Sequence, residues 1–157
     1  MIPTSFLYQL AEYEGIRIEW HDFKHIEGLY TYTPTLQSPI ISLSSSLHTQ
    51  TRRLRSVLSH ELGHHFTTSG HHMIAASGLN SVYAVKHERL ATRWAVDLMV
   101  DTYTFLERLE DGLNRQELAD YFYVLPEFVE AKGELLRESE EHVGVVAELR
   151  ASYDVVF

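Results

Sequence analysis

Cysteine is absent, so neither a disulfide framework nor a thiolate metal site can form, and any metal must take nitrogen and oxygen donors. No run of apolar residues approaches the roughly 18 to 20 that cross a bilayer. The amino terminus, MIPTSFLYQLAEYEG, lacks a basic start followed by an apolar stretch and does not read as a secretory signal. A soluble, cytoplasmic protein with no membrane contact is the expectation. Positive charge is scarce as well: 13 lysines and arginines stand against 22 aspartates and glutamates, a net charge of −9. Phosphate backbones call for a positive surface, so no direct nucleic-acid contact is expected. The one basic cluster, Arg52, Arg53 and Arg55, reads as a solvated helix surface. Repeats and low-complexity linkers are missing too. What remains is 157 residues, 45% hydrophobic and 11% aromatic, enough for one domain over residues 1–157 with a helical carboxy-terminal part from about residue 108 to residue 157.

Residues 3 to 14 read as a short amphipathic helix ending at Gly15. IRIEWHDF alternates as a strand does, with Ile16, Ile18 and Trp20 on one face, and GLYTYTP and PIISLS read as two more strands. These predict a small, mostly antiparallel sheet of about three strands. Helical spacing follows from Thr49 to about Phe66. Residues 67 to 85 read as a loop with one or two short strands, and a second long helix is expected from roughly Lys86 to Leu106. The last third predicts two helices broken near Pro126; the tail from His142 carries no clear pattern.

Within the first long helix, RSVLSHELGHHF sets His60 and His64 four residues apart with Glu61 after the first. Each helical residue advances about 100°, so the two imidazoles project together. Val57, Leu58, Leu62 and Phe66 form an apolar arc with Leu54. Glu61 falls at the edge of that arc, and His64 and His60 continue outward along the margin, where a cleft can form. His65 sits near the middle of the arc and reads as a core histidine. HExxH alone is short, and the chain has 10 histidines, but the motif lies in a well-patterned helix with the small Gly63 between the pair. A catalytic zinc takes three protein ligands and leaves a position for water. On the second long helix Glu88 points along the face of Ala91, Ala95, Leu98 and Met99, where a carboxylate is costly unless it is paired or bound to a cation. A glutamate favoured by the dipole of a helix start is the plainer reading of that residue, and His87 is the rival ligand. His60, His64 and Glu88 are thus the candidate ligands of one Zn²⁺ ion, and Glu61 the candidate base. His71, His72 and Tyr83 are candidates to donate a hydrogen bond to an oxyanion. SPIISLS is the candidate sheet edge for an extended substrate.

SHELGHHF followed by HERLATRWAVDLMV resembles the ImmA/IrrE family of metallopeptidases. That family carries an HExxH helix and then an E-x-x-A-x-x-[FW]-A helix, here Glu88, Ala91, Trp94 and Ala95. NRQELADYFYVLPEFVEAK is similar to the family's helix pair with its LA-x-x-F-x-V core, and the resemblance covers roughly residues 5 to 138. One departure is Leu98-Met99-Val100-Asp101, where members often end the second helix with proline. The resemblance implies an α+β, zincin-like minimal metallopeptidase: the small sheet, the HExxH helix, a second long ligand-bearing helix and a C-terminal helical pair. It also implies a zinc-dependent, site-specific endopeptidase that cuts a helix-turn-helix repressor of phage type, often encoded beside it in prophages or mobile elements, and so relieves repression. A non-catalytic zinc-containing regulatory protein that binds such a repressor is the alternative, and the intact Glu61 argues against it. A DNA-binding role for residues 114 to 138 is poorly served by Glu117, Asp120, Glu127, Glu130 and Glu134 against Arg115 and Lys132.

Overall fold

Gly15 takes a φ of 69°, a left-handed conformation that glycine adopts without steric cost, and there the first helix gives way to the first strand. The computed structural model describes residues 1–32, 35, 38–67 and 82–138, the side chains of residues 82 and 83 excepted. The strands expected in the 67–85 loop, His71, His72 and the tail from residue 142 lie outside the described residues. Two compact units divide the chain, Ile2–Ala95 and Val96–Phe157, the latter with Met1.

The first unit opens with α1 (Thr4–Tyr13), then β1 (Arg17–His21), β2 (Gly28–Thr31) and β3 (Ile40–Ser44). The three strands were all expected, but their order is β1-β3-β2, with β3 parallel to β1 and antiparallel to β2. The sheet is therefore mixed rather than mostly antiparallel. Nor is SPIISLS an edge: β3 lies in the middle, with both its hydrogen-bonding sides taken. Its composition suits that place, since Ile41 and Leu43 are fully buried. Arg17 and Glu19 on β1 are charges of the kind that protect an open edge. Pairing by chain order hides such an insertion, because the third strand fills a slot left between the first two.

A 3₁₀ turn (Ser45–Thr49) leads into α2 (Thr51–Thr67), which packs on β2 and β3. Leu58 and Leu62 on the helix and Leu7 and Ala11 on α1 complete the core of this unit. Because α1 covers one flank of α2, Arg55 is not solvated as expected; it is 2% exposed and donates from Nη1 to Thr4 Oγ1 at 3.2 Å. Arg53 pairs with Glu27.

The second long helix, α3 (Val82–Met99), begins earlier and ends sooner than its pattern predicts, and α4 (Thr102–Glu110) is separate. The cause of the break is a cap. Asp101 is extended, and its carboxylate accepts from the Thr104 backbone N–H at 2.9 Å and from the Thr104 hydroxyl at 2.7 Å. In this unit α5 (Arg115–Phe122) starts on a capping box of Asn114 and Glu117, and α6 (Pro126–Glu138) starts on a proline whose missing N–H costs nothing there. Phe105, Leu118, Phe122 and Val129 fill its core. Lys132, 1% exposed, donates to Asp97 Oδ1 at 2.8 Å. No helix among the described residues is long and apolar enough to cross a membrane.

Candidate metal centre

The margin of α2 that the helical spacing marks out is half sunk in the fold. Glu61 and His64 are buried, and His60 is partly exposed. The two rings meet edge to face with centroids 4.8 Å apart. Access of a second helix to this margin depends on Gly63. A Cβ there would collide with the Ala91 carbonyl oxygen and stand 3.0 Å from Ala91 Cα, so only glycine lets α3 approach so closely. Ala91 is one turn beyond Glu88, and the contact delivers Glu88 to the histidine pair. His60 Nε2 lies 3.2 Å from Glu88 Oε2, and His64 Nε2 lies 3.4 Å from Glu88 Oε1. Ligand atoms from the three residues fall within 4.8 Å of one another. His87 is not one of this group. Because α3 begins at Val82, Glu88 sits in the second turn, beyond the reach of the dipole at the helix start.

This donor set fits a metal ion. Two imidazole nitrogens and a carboxylate converge from one side, each imidazole presents Nε2, and His64 Nδ1 is buried without a hydrogen-bond partner among the described residues. The same residues form an acid–base cluster with Glu61. Hydrogen bonds from His60 and then His64 hold the Glu88 carboxyl far below the ordinary glutamate range. For His60, burial works against the charged ring, but the hydrogen bond with Glu88 and the charges of Glu61 and Glu88 outweigh it and raise its pKa. Glu61 moves the other way from Glu88. Desolvation dominates and raises its pKa, although both histidines and the Tyr30 backbone amide favour the carboxylate.

That amide belongs to the strand beside the helix. Ser44 N donates to the Glu27 carbonyl at 2.8 Å, so by antiparallel alternation Leu29 and Thr31 also turn toward β3. Gly28 and Tyr30 then present their backbone groups on the side away from β3, an edge that is unpaired among the described residues, and the Tyr30 N–H is the one that meets Glu61. Gly28 permits the approach: a Cβ there would lie 2.5 Å from Glu61 Oε1 and 2.6 Å from Val57 Cγ1. An open cleft of about 160 Å³ results, lined by Gly28, Leu29, Tyr30, His60, Glu61, His64 and Glu88.

His65, expected in the core, is part-buried and bridged: its Nδ1 is 3.0 Å from the Tyr30 hydroxyl and its Nε2 is 3.4 Å from Glu14 Oε2. Tyr83 lies in the first turn of α3 with its side chain outside the described part, and His71 and His72 fall outside it altogether. Sequence reasoning missed Gly28 and Thr92, the latter with its hydroxyl 3.5 Å from His60 Nδ1. Both left a signal: a lone glycine in a strand marks close backbone approach, and Thr92 stands four residues past Glu88 on the same helix face.

No curated protein and no solved structure gives a match. The family model Peptidase_M78, described as the IrrE N-terminal-like domain, matches residues 11–133, which take in both metal-facing helices and most of the C-terminal pair. That peptidase family supports a metallopeptidase-type function, and the chain belongs to it.

Proposed function

We propose that the protein is a zinc-dependent endopeptidase that cuts a protein substrate at a specific site, and that the substrate is a helix-turn-helix repressor whose cleavage relieves repression. The observation that carries the reading is the convergence of His60 Nε2, His64 Nε2 and the Glu88 carboxylate beside a buried glutamate and an open strand edge. His60, His64 and Glu88 would hold the ion. When bound, it supplies positive charge that acidifies water and polarises a peptide carbonyl. Glu61 takes a proton from the attacking water on a carboxylate oxygen and delivers it to the departing amine nitrogen. Burial favours the protonated form of this group, which suits a carboxylate that must both accept a proton and give it back. The Tyr30 amide orients the Glu61 carboxylate from the strand side. The outward N–H and C=O of Gly28 and the Tyr30 carbonyl offer an extended peptide groups to pair with, which lays its scissile bond across the cleft.

The repressor as client rests on the family resemblance of the two helices and gains support from charge, since a net −9 suits a basic DNA-binding partner. The test incubates the zinc-loaded full chain with the helix-turn-helix repressor encoded beside its gene and reads the products by mass. One discrete cut is expected, and Glu61→Gln is expected to keep its metal and cut about 10²- to 10⁴-fold more slowly. A repressor left intact removes the substrate assignment. Undiminished cutting by the glutamine variant removes the base.

A further inference from the structure

Three histidines stand on the last two turns of α2, and the second nitrogen of each ring separates their roles. His65 has both nitrogens engaged. Burial, helped by Tyr32, pushes the Tyr30 hydroxyl up to about 12, so this hydroxyl stays protonated and donates to His65 Nδ1. The Nε2–H of His65 is then left to donate to Glu14, and no lone pair remains for an ion. His64 is held by packing, its side chain 6% exposed, with Nε2 toward Glu88. His60 is different. Its side chain is 25% exposed, so packing alone leaves the ring room to swing. Its Nδ1 lies 3.5 Å from the Thr92 hydroxyl. Thr92 is one turn beyond Glu88 on α3, so a single helix face brings both the carboxylate and this hydroxyl to the site.

We propose that Thr92 is a positioning residue for the metal centre: its hydroxyl oxygen accepts from the Nδ1–H of His60, fixes the ring and keeps the Nε2 lone pair directed at the ion. The proposal rests on the reading that His60, His64 and Glu88 hold a divalent cation. A neutral imidazole carries one proton, and an acceptor beside Nδ1 selects the tautomer whose Nε2 is bare, the form a metal ligand needs. Partners of this kind contribute about 10- to 100-fold to metal affinity. The 3.5 Å separation is long for a hydrogen bond, which places Thr92 at the lower end of that range.

The experiment measures zinc affinity of the full chain by competition with a chromophoric chelator at constant pH, for the unaltered protein and for Thr92→Val, Thr92→Ala and Thr92→Ser. Valine keeps the branched shape and removes the acceptor; alanine carries the test should valine disturb α3, with circular dichroism reporting the fold of each. Valine and alanine are expected to weaken zinc binding about tenfold, and serine to restore it. Loaded with cobalt(II), the valine and alanine forms should show displaced visible bands and the serine form the native ones, a signature that lost packing alone would not produce. Valine and alanine forms that hold zinc as tightly as the unaltered chain overturn the proposal, as does a serine form as weak as valine. An unaltered chain that takes up no zinc overturns the metal reading itself, so the two failures are distinguishable.

Discussion

Lys132 and Glu61 are both buried ionisable side chains, 1% and 7% exposed, and the two units of the chain treat them differently. In the helical unit the ammonium of Lys132 is answered by Asp97 at 2.8 Å, and Asp97 keeps half of its own surface in water. That charge is matched and leaves nothing to bind. In the unit that holds the cleft, Glu61 has one backbone amide and two imidazoles for company, and burial still outweighs them. His64 Nδ1, close by, has no hydrogen-bond partner among the described residues. An unmatched group of this kind is informative where it lies beside other groups that could share a ligand, as His64 Nδ1 does beside Glu61 and Glu88. The difference between the two buried groups thus separates a matched pair from the residue proposed as the base.

The largest effect that would sharpen this contrast lies in the helical unit. Asp97→Ala strands a buried ammonium and is expected to cost about 3–5 kcal/mol in urea unfolding, whereas Lys132→Met, which leaves only a hydrated carboxylate, costs far less. Equal losses from the two variants would show that the pair is not the one-sided burial described. Next comes the glycine under α3. Gly63→Ala forces a methyl group against the Ala91 backbone, and about 1–3 kcal/mol of destabilisation is expected, with weakened zinc uptake. A stable variant with native zinc affinity would detach the helix crossing from the site. The smallest effect concerns the metal-free protein. A glutamate whose folded pKa is raised contributes stability at low pH that is lost as pH rises through the folded value. Glu61→Gln should therefore raise the Tm of the metal-free chain at pH 8, and by less at pH 4. A Tm difference that grows toward acid pH would reverse the sign assigned to Glu61.

Much of the site was legible because it is local. His60, Glu61 and His64 lie within one turn and a half of one helix, and helical geometry alone puts them on a common margin. Glu88 was legible for a second reason, the apolar face along which it points. The sheet order was not. Nothing in PIISLS states that both its sides will be paired, because hydrogen-bonding partners are chosen by burial across the whole unit. The end of α3 was misjudged for the opposite reason: the apolar pattern runs past Met99, and the short-range cap at Asp101 overrides it. The fate of Arg55 was hidden as well, since only the packing of α1 against α2 encloses it.

By itself the order of residues determined the helix with its two stacked imidazoles, the restriction to nitrogen and oxygen donors, and the break between two helices near Pro126. Each of these is settled within a few bonds or one helical turn. Tertiary structure decided that β3 would be central, that Gly28 would let β2 lie against Glu61, and that Glu88 and Thr92 would meet His60 from 28 and 32 residues away. Those meetings depend on how closely two helices and a strand can pack, and that is set by small side chains at the crossings, not by spacing along the chain.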